Sequence, residues 1–186
     1  MVPMMQLWLP IVLSAVFVFI ASSVLHMVLR AWHASDCKGF SNEDEVGAAM
    51  RKGNATAGMY LLPYCTPEMM KQPAFAEKFK TGPVGFVFLR QPGGMNMGAM
   101  LGQWFVFCLL VPFACAGIAA HLIGPGAPGA LVFHTVGLAA TMAFAFGVIP
   151  DAIWWGHPWR SAIKHIIDGV VYGVITGLTF AWLWPH

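Results

Sequence analysis

The chain has 186 residues, of which 58% are apolar and only 10% are charged, with a formal net charge of +2. A soluble domain carries about 25% charged residues, and 10 basic plus 8 acidic side chains cannot dress a water-facing globule of this size. The composition therefore excludes a disordered chain and a water-soluble domain, gives no nucleic-acid footprint, and leaves an integral membrane protein.

A spanning helix needs about 20 apolar residues, because the hydrocarbon is about 30 Å thick and each helical residue rises about 1.5 Å. Four stretches meet this requirement: 7–29, 98–122, 130–149 and 166–184. The expected fold is an all-α bundle of four transmembrane helices, one membrane domain over 1–186, with a long cytoplasmic loop at 30–97. The first stretch lacks a basic leader and exceeds the length of a signal-peptide core, so it reads as a retained helix. The run Gly124-Pro125-Gly126-Ala127-Pro128-Gly129 makes a tight turn between the second and third spans. Pro150 and Pro158 punctuate the third connection, and Pro185 ends the last helix.

All 10 Lys and Arg lie in the first and third connections. The positive-inside rule then places both termini outside and those two connections in the cytoplasm. Trp8, Trp182 and Trp184 fall at the outer interface, and Trp32, Trp154, Trp155 and Trp159 at the inner one, as aromatic belts require.

Within the loop, Glu43-Asp44-Glu45 leads an apolar stretch that ends in Arg51-Lys52-Gly53. Acids first, bases last and glycine after them describe a short surface helix. Thr66-Pro67-Glu68 is a second start signal, and residues 73–80 add another turn or two. Val84 to Leu89 is too short to span and is left to lie on a membrane surface, form a small strand or dock on a partner. The four cysteines form no disulfide framework: Cys37 and Cys65 fall in the cytoplasm, and Cys108 and Cys115 lie two turns apart on one helix, too far to bridge.

Small residues recur every fourth position at Gly169, Gly173 and Gly177, and again at Ala139, Ala143 and Gly147. Such ridges let helix backbones approach closely in lipid. They mark helix-packing faces, within the chain or between chains.

The polar residues converge on one end of the bundle. Ser23, His26, Arg30 and His33 form a stripe on the first helix, and His165, Asp168 and Tyr172 form one on the last. Asp151 lies near the same level. An intramembrane acid is costly unless paired, so Asp168 is expected to meet Arg30, His26, Lys164, His165 or another basic group. Several roles fit this cluster. It can be a proton or substrate site, or a metal site of His26 with His165 or with Asp168. It can also be part of a haem-binding set, His26 with His165 and His121 with His134. The structural alternative is that Asp168 and Arg30 lock two helices while the histidines bond carbonyls. Met95, Met97 and Met100 raise a copper reading on thioether chemistry alone. No Cys-x-x-Cys-His, His-Glu-x-x-His, phosphate-binding loop or nucleophile elbow is present. The sequence therefore assigns no catalytic residue, metal ligand or cofactor.

The runs Leu7-Trp8-Leu9-Pro10-Ile11-Val12-Leu13-Ser14, Trp32-His33-x-x-Asp36, Ile153-Trp154-Trp155-Gly156-x-Pro158-Trp159, Asp168-Gly169 and Trp182-Leu183-Trp184-Pro185, with His26, carry a resemblance. The chain resembles a group of small four-helix bacterial inner-membrane proteins with no established activity. The resemblance implies a bacterial source and transfers no mechanism. Absent reactive motifs, apolar mid-membrane surfaces and a loop with apolar pieces lead to one expectation. The chain is read as a non-catalytic accessory subunit of a larger membrane complex of respiratory or photosynthetic energy conversion. Its partners are then the lipid bilayer and other integral-membrane subunits, and no nucleic acid. The alternatives are a small transporter or ligand-binding membrane protein using the inner polar cluster, and a haem- or metal-binding redox protein.

Overall fold

The computed structural model describes residues 1–186. It is mostly helical, and four of its helical segments are long and apolar enough to cross a membrane. They are Met4–Val28, Met97–Leu122, Gly129–Trp154 and Trp159–Trp182. The chain divides into two compact units: 1–36, 96–152 and 157–186 form the first, and 37–95 with 153–156 form the second.

In the first unit the chain enters through a 3-10 turn, Met4–Leu7, and continues as α1, Trp8–Ser23. Its polar residues are satisfied by the helix itself, as a spanning segment requires. The Ser14 hydroxyl donates to Pro10 O at 2.5 Å, and the Ser22 and Ser23 hydroxyls donate to Phe19 O at 2.8 and 2.9 Å. The helix then widens into a π turn, Val24–Val28, closed by Leu29 N donating to Val24 O at 2.9 Å. Leu29, at φ −86° and ψ 51°, leaves the helical path, and α2, Arg30–His33, starts in a new direction.

The remaining spans depart from their expected bounds in instructive ways. The helix α5, Met97–Leu122, is capped by the Asn96 side chain, which accepts from Ala99 N at 3.0 Å. The third span is α6, Gly129–Ala145, then a break at Phe146–Gly147, then α7, Val148–Trp154. Pro150 does not end it, contrary to the sequence expectation. It sits in the first turn of α7, where a missing N–H costs no helical bond. The last helix, α8, is Trp159–Trp182 and begins well before residue 166. Pro158 O accepts from Ser161 N and Ala162 N, so the helix starts at the proline despite the two bases in its opening turns. Lys164, His165 and Asp168 therefore sit inside α8 rather than at its edge.

The α6–α8 contact is the tightest in the bundle. A Cβ on Gly169 would lie 2.7 Å from Ala145 Cα, and one on Gly177 would lie 2.8 Å from Phe133 O. One on Gly173 would collide with Thr141 Oγ1 and lie 2.9 Å from Gly137 O. The glycine ridge thus packs within the chain. The row that meets it is Phe133, Gly137, Thr141 and Ala145, offset from the expected Ala139, Ala143 and Gly147. Ala143 and Gly147 are exposed, and Ala139 is only partly covered against the core. Equal spacing could not choose between two rows of α6; the ridge of α8 selects the one with a glycine at its centre.

The ends of the unit are knitted together. Val2 N donates to Ala120 O at 3.1 Å, Gly126 N donates to Pro185 O at 2.8 Å, and the Trp184 indole donates to Gly124 O at 3.0 Å. Both termini and the Gly-Pro turn therefore share one end of the bundle. Large side chains such as Ile20, Leu110, Phe113, Leu138 and Leu178 point outward, which suits a hydrocarbon surround.

In the second unit, α3 is Glu43–Lys52 and α4 is Pro73–Thr81, with a 3-10 turn at Met69–Lys71 after Thr66. Strands β1, Gly58–Leu62, and β2, Gly85–Leu89, pair antiparallel with Tyr60 opposite Val87. Val84 to Leu89 thus contributes a strand, and its partner was not foreseen. Phe75 is buried against Phe79, and Phe86 meets Trp155 edge-on at 5.0 Å.

Gly173→Ala should lower the thermal stability of the purified chain in detergent by about 1–3 kcal/mol, because backbone rather than a flexible side chain must yield. Gly102→Ala on α5, where a Cβ meets nothing within 4 Å, should cost nothing. Parallel thermal melts of the two variants check this.

Candidate functional site

The polar end of the first unit is organised by Asp168, which is 3% exposed. Its Oδ1 accepts from the Trp32 indole at 3.0 Å, and its Oδ2 lies 2.9 Å from His33 Nε2. The other nitrogen of His33, Nδ1, lies 2.6 Å from Asp36 Oδ2. Each ring nitrogen of His33 thus faces a carboxylate oxygen. Asp36 Oδ1 in turn accepts from Lys164 Nζ at 2.7 Å, and the same ammonium donates to Ser35 Oγ at 3.0 Å. Two acids, one ammonium and one imidazole thus pair with one another in a poorly hydrated cluster, where unpaired charge is costly.

Burial pushes the Asp36 carboxyl up, but hydrogen bonds from Lys164 and His33, together with their positive charge, outweigh it and hold the group down at about 2.

Two further histidines stand against this network. His26 stacks on His33 with ring centroids 4.2 Å apart and an interplanar angle of 11°. His165 meets His33 edge-on at 5.2 Å. The Nδ1 of His26 donates to Ser22 O at 3.0 Å, and that of His165 donates to Ser161 O at 2.9 Å. Both rings therefore leave Nε2 with a free lone pair. In a straight helix His26 and His33 would be two turns apart. The π turn and the break at Leu29 fold the chain back so that the rings stack.

A cavity of about 390 Å³ adjoins the cluster. Ser23, His26, His165, Asp168 and Tyr172 form its polar lining, and Leu101, Trp104, Phe107, Phe144 and Val148 supply apolar wall. Trp104 is fixed by its indole donating to Ser22 Oγ at 2.8 Å. Tyr172 is 4% exposed, yet its hydroxyl has no hydrogen-bond partner. The ring is held by edge contacts to Trp104 and Phe144. A buried hydroxyl left unpaired costs about 1–3 kcal/mol. The Nε2 of His157, whose ring lies 5.9 Å from that of His165, is likewise buried and unpartnered.

Of the residues singled out in the sequence, His26, His33, His165 and Asp168 come together, and Ser23 and Tyr172 face the adjoining cavity. Arg30 does not join them: it is exposed, and its Nε donates to Met27 O at 3.2 Å. The break at Leu29 turns it off the stripe, so the basic group on Asp168 is His33. Asp151 is exposed and only its backbone carbonyl is used, accepting from His157 N. His121 and His134 each bond a carbonyl of their own helix, Gly117 O and Ala130 O, and remain exposed. Trp32, Asp36 and Trp104 were not foreseen as site residues. The His33-x-x-Asp36 spacing was the available signal for one of them.

No protein-family model matches the chain, and neither a curated protein nor a solved structure does. The arrangement itself offers a hydrogen-bond donor and two imidazole lone pairs around a mostly apolar cavity.

A carboxylate held below its usual value stabilises the fold above pH 3.8 and loses that contribution as the pH falls toward 2. Acid unfolding of the wild type should steepen through that window. Asp36→Asn should remove this dependence while lowering stability at neutral pH, as a pH series of thermal melts reads directly.

Proposed function

We propose that the chain is a ligand-binding multi-pass protein of a bacterial inner membrane, with both termini on the outer face. The ligand is a small lipid-soluble molecule with a flat apolar body and a hydrogen-bond-accepting head, such as a quinone. The observation that carries this reading is the unpartnered Tyr172 hydroxyl beside an aromatic-walled cavity. Pockets of about 300–1,000 Å³ with apolar walls and a few convergent polar groups are the usual form of small-molecule sites. Here Tyr172 donates to the head, Trp104 and Phe107 flank the body, and the Asp168–His33–Asp36–Lys164 chain holds the polar end rigid.

The orientation is supported by charge. The end that gathers both termini and the Gly-Pro turn has no Lys or Arg, whereas Arg30 and Arg160 with Lys164 mark the other. A reporter fused to the C-terminus should be active in the periplasm and silent in the cytoplasm; the reverse pattern overturns the orientation.

With EDTA present, a soluble naphthoquinone should bind the detergent-purified chain saturably and quench tryptophan fluorescence. Tyr172→Phe should weaken that binding about fivefold, the worth of one hydrogen bond of about 1 kcal/mol. The same variant should melt no lower than wild type without ligand, because it removes an unpaired buried group. Absence of saturable binding defeats the reading.

The accessory-subunit reading is favoured by a different observation. In the second unit Met59, Leu62 and Phe88 of the ladder, with Phe40 and Tyr64, are exposed, and an apolar surface of this kind suits a protein partner. Mild extraction followed by native electrophoresis and mass spectrometry tests it, with stoichiometric co-migrating subunits as the expected result.

A further inference from the structure

We infer that His26, His33 and His165 form a binding site for a divalent first-row transition metal, coordinated through their three Nε2 atoms. The inference concerns the cluster at the mouth of the proposed ligand cavity but does not depend on what occupies that cavity.

One ligand atom from each of the three side chains lies within 4.8 Å of the others. Around a metal with Zn–N bonds of about 2.0–2.1 Å the donors stand about 3.4 Å apart, so closing the set requires the stacked rings of His26 and His33 to tilt apart until their in-plane lone pairs converge. The opposite side of each ring fits the same geometry. All three histidines have Nδ1 anchored: His26 on Ser22 O, His165 on Ser161 O, and His33 on Asp36 Oδ2. A metal-binding histidine characteristically donates its second nitrogen to a carbonyl or carboxylate, which fixes the tautomer and aims the lone pair. Three rings from the π turn, α2 and α8 meet at one point with this feature, and Lys164 holds Asp36 in place behind His33.

The Nε2 of His26 and of His165 already carries a lone pair. His33 Nε2 is on Asp168, 2.9 Å away. On metal binding its proton leaves to solvent and the nitrogen turns to the metal, as deprotonation of a ligand requires. Asp168 keeps its bond to Trp32 and supplies the nearest negative charge. Imidazole donors suit zinc, copper, iron and nickel rather than magnesium or calcium. Three protein ligands leave a coordination position open, and His26 and His165 also line the adjoining cavity. This is the arrangement of a reactive rather than a purely structural metal site.

The test uses the full chain in mild detergent, without a polyhistidine tag, stripped with EDTA and dialysed against Zn(II) alone. Elemental analysis should give one zinc per chain, and X-ray absorption should show three imidazoles in the first shell. The His26→Ala/His165→Ala variant should lose at least about 100-fold in affinity, whereas His121→Ala/His134→Ala should bind as wild type. Asp36→Asn should weaken binding by about 10–100-fold through the loss of the group that orients His33. A wild-type chain that retains no zinc, or one whose bound zinc has fewer than three imidazoles, overturns the inference without recourse to any variant. So does stoichiometric zinc that survives loss of His26 and His165. The zinc titration contains no organic ligand and the quinone titration contains EDTA, so either reading can fail alone.

Discussion

A carboxylate inside an apolar helix has to be neutralised by something brought to it, and Asp168 is that carboxylate. Its position in α8 is fixed by the glycine ridge, which locks the helix against α6. The partners therefore have to come from elsewhere, and they come from the end of α1. Trp32 and His33 reach Asp168 only because the chain widens at Val24–Val28 and breaks at Leu29. The bend in the first helix is thus the geometric answer to an electrostatic demand on the last. Once His33 is placed, Asp36 and Lys164 follow, since the second nitrogen of the ring needs an acceptor and that acceptor needs a cation.

The rigid and the open parts of the first unit lie side by side. Glycine-to-backbone packing between α6 and α8 leaves no room for a ligand there. The cavity instead opens where the end of α1 and the π turn meet α5, α8 and the α6–α7 break, bounded by aromatic rings whose edges touch. The hydroxyls of Ser14, Ser22, Ser23, Thr135, Thr176 and Thr179 turn back to their own helices. Those of Ser161 and Tyr172 are buried with no partner, and Tyr172 is the one that lines the cavity.

Much of this was legible in the sequence. Apolar runs of sufficient length, the last of them carrying Asp168, marked all four helices long and apolar enough to cross a membrane, and the acid-to-base order at 43–53 marked α3. Proline was less informative than its reputation: Pro150 starts a short helix, and Pro158 starts a long one, so neither marks the middle of a connection. The polar cluster was legible as a set of residues but not as a set of bonds. Arg30 was the natural partner for Asp168 on a straight helix, and no local pattern announces that the helix will widen four residues earlier. The ladder of β1 with β2 was hidden for a similar reason. Its two strands are separated by a helix and a turn, and each is too short to declare a partner by itself.

The π turn has a consequence for how the chain tolerates change. A wide turn holds one residue more than an α-helical path through the same rise would. Removing a single residue between Val24 and Val28 would restore an ordinary helix, rotate everything after it by about 100° and carry His33 off both His26 and Asp168. Substituting one aliphatic residue for another there would leave the path unchanged. The segment is therefore constrained in length far more than in composition: related chains that keep this cluster should differ freely in apolar residue type along the turn and share the spacing from Ser22 to Asp36 without insertion or deletion.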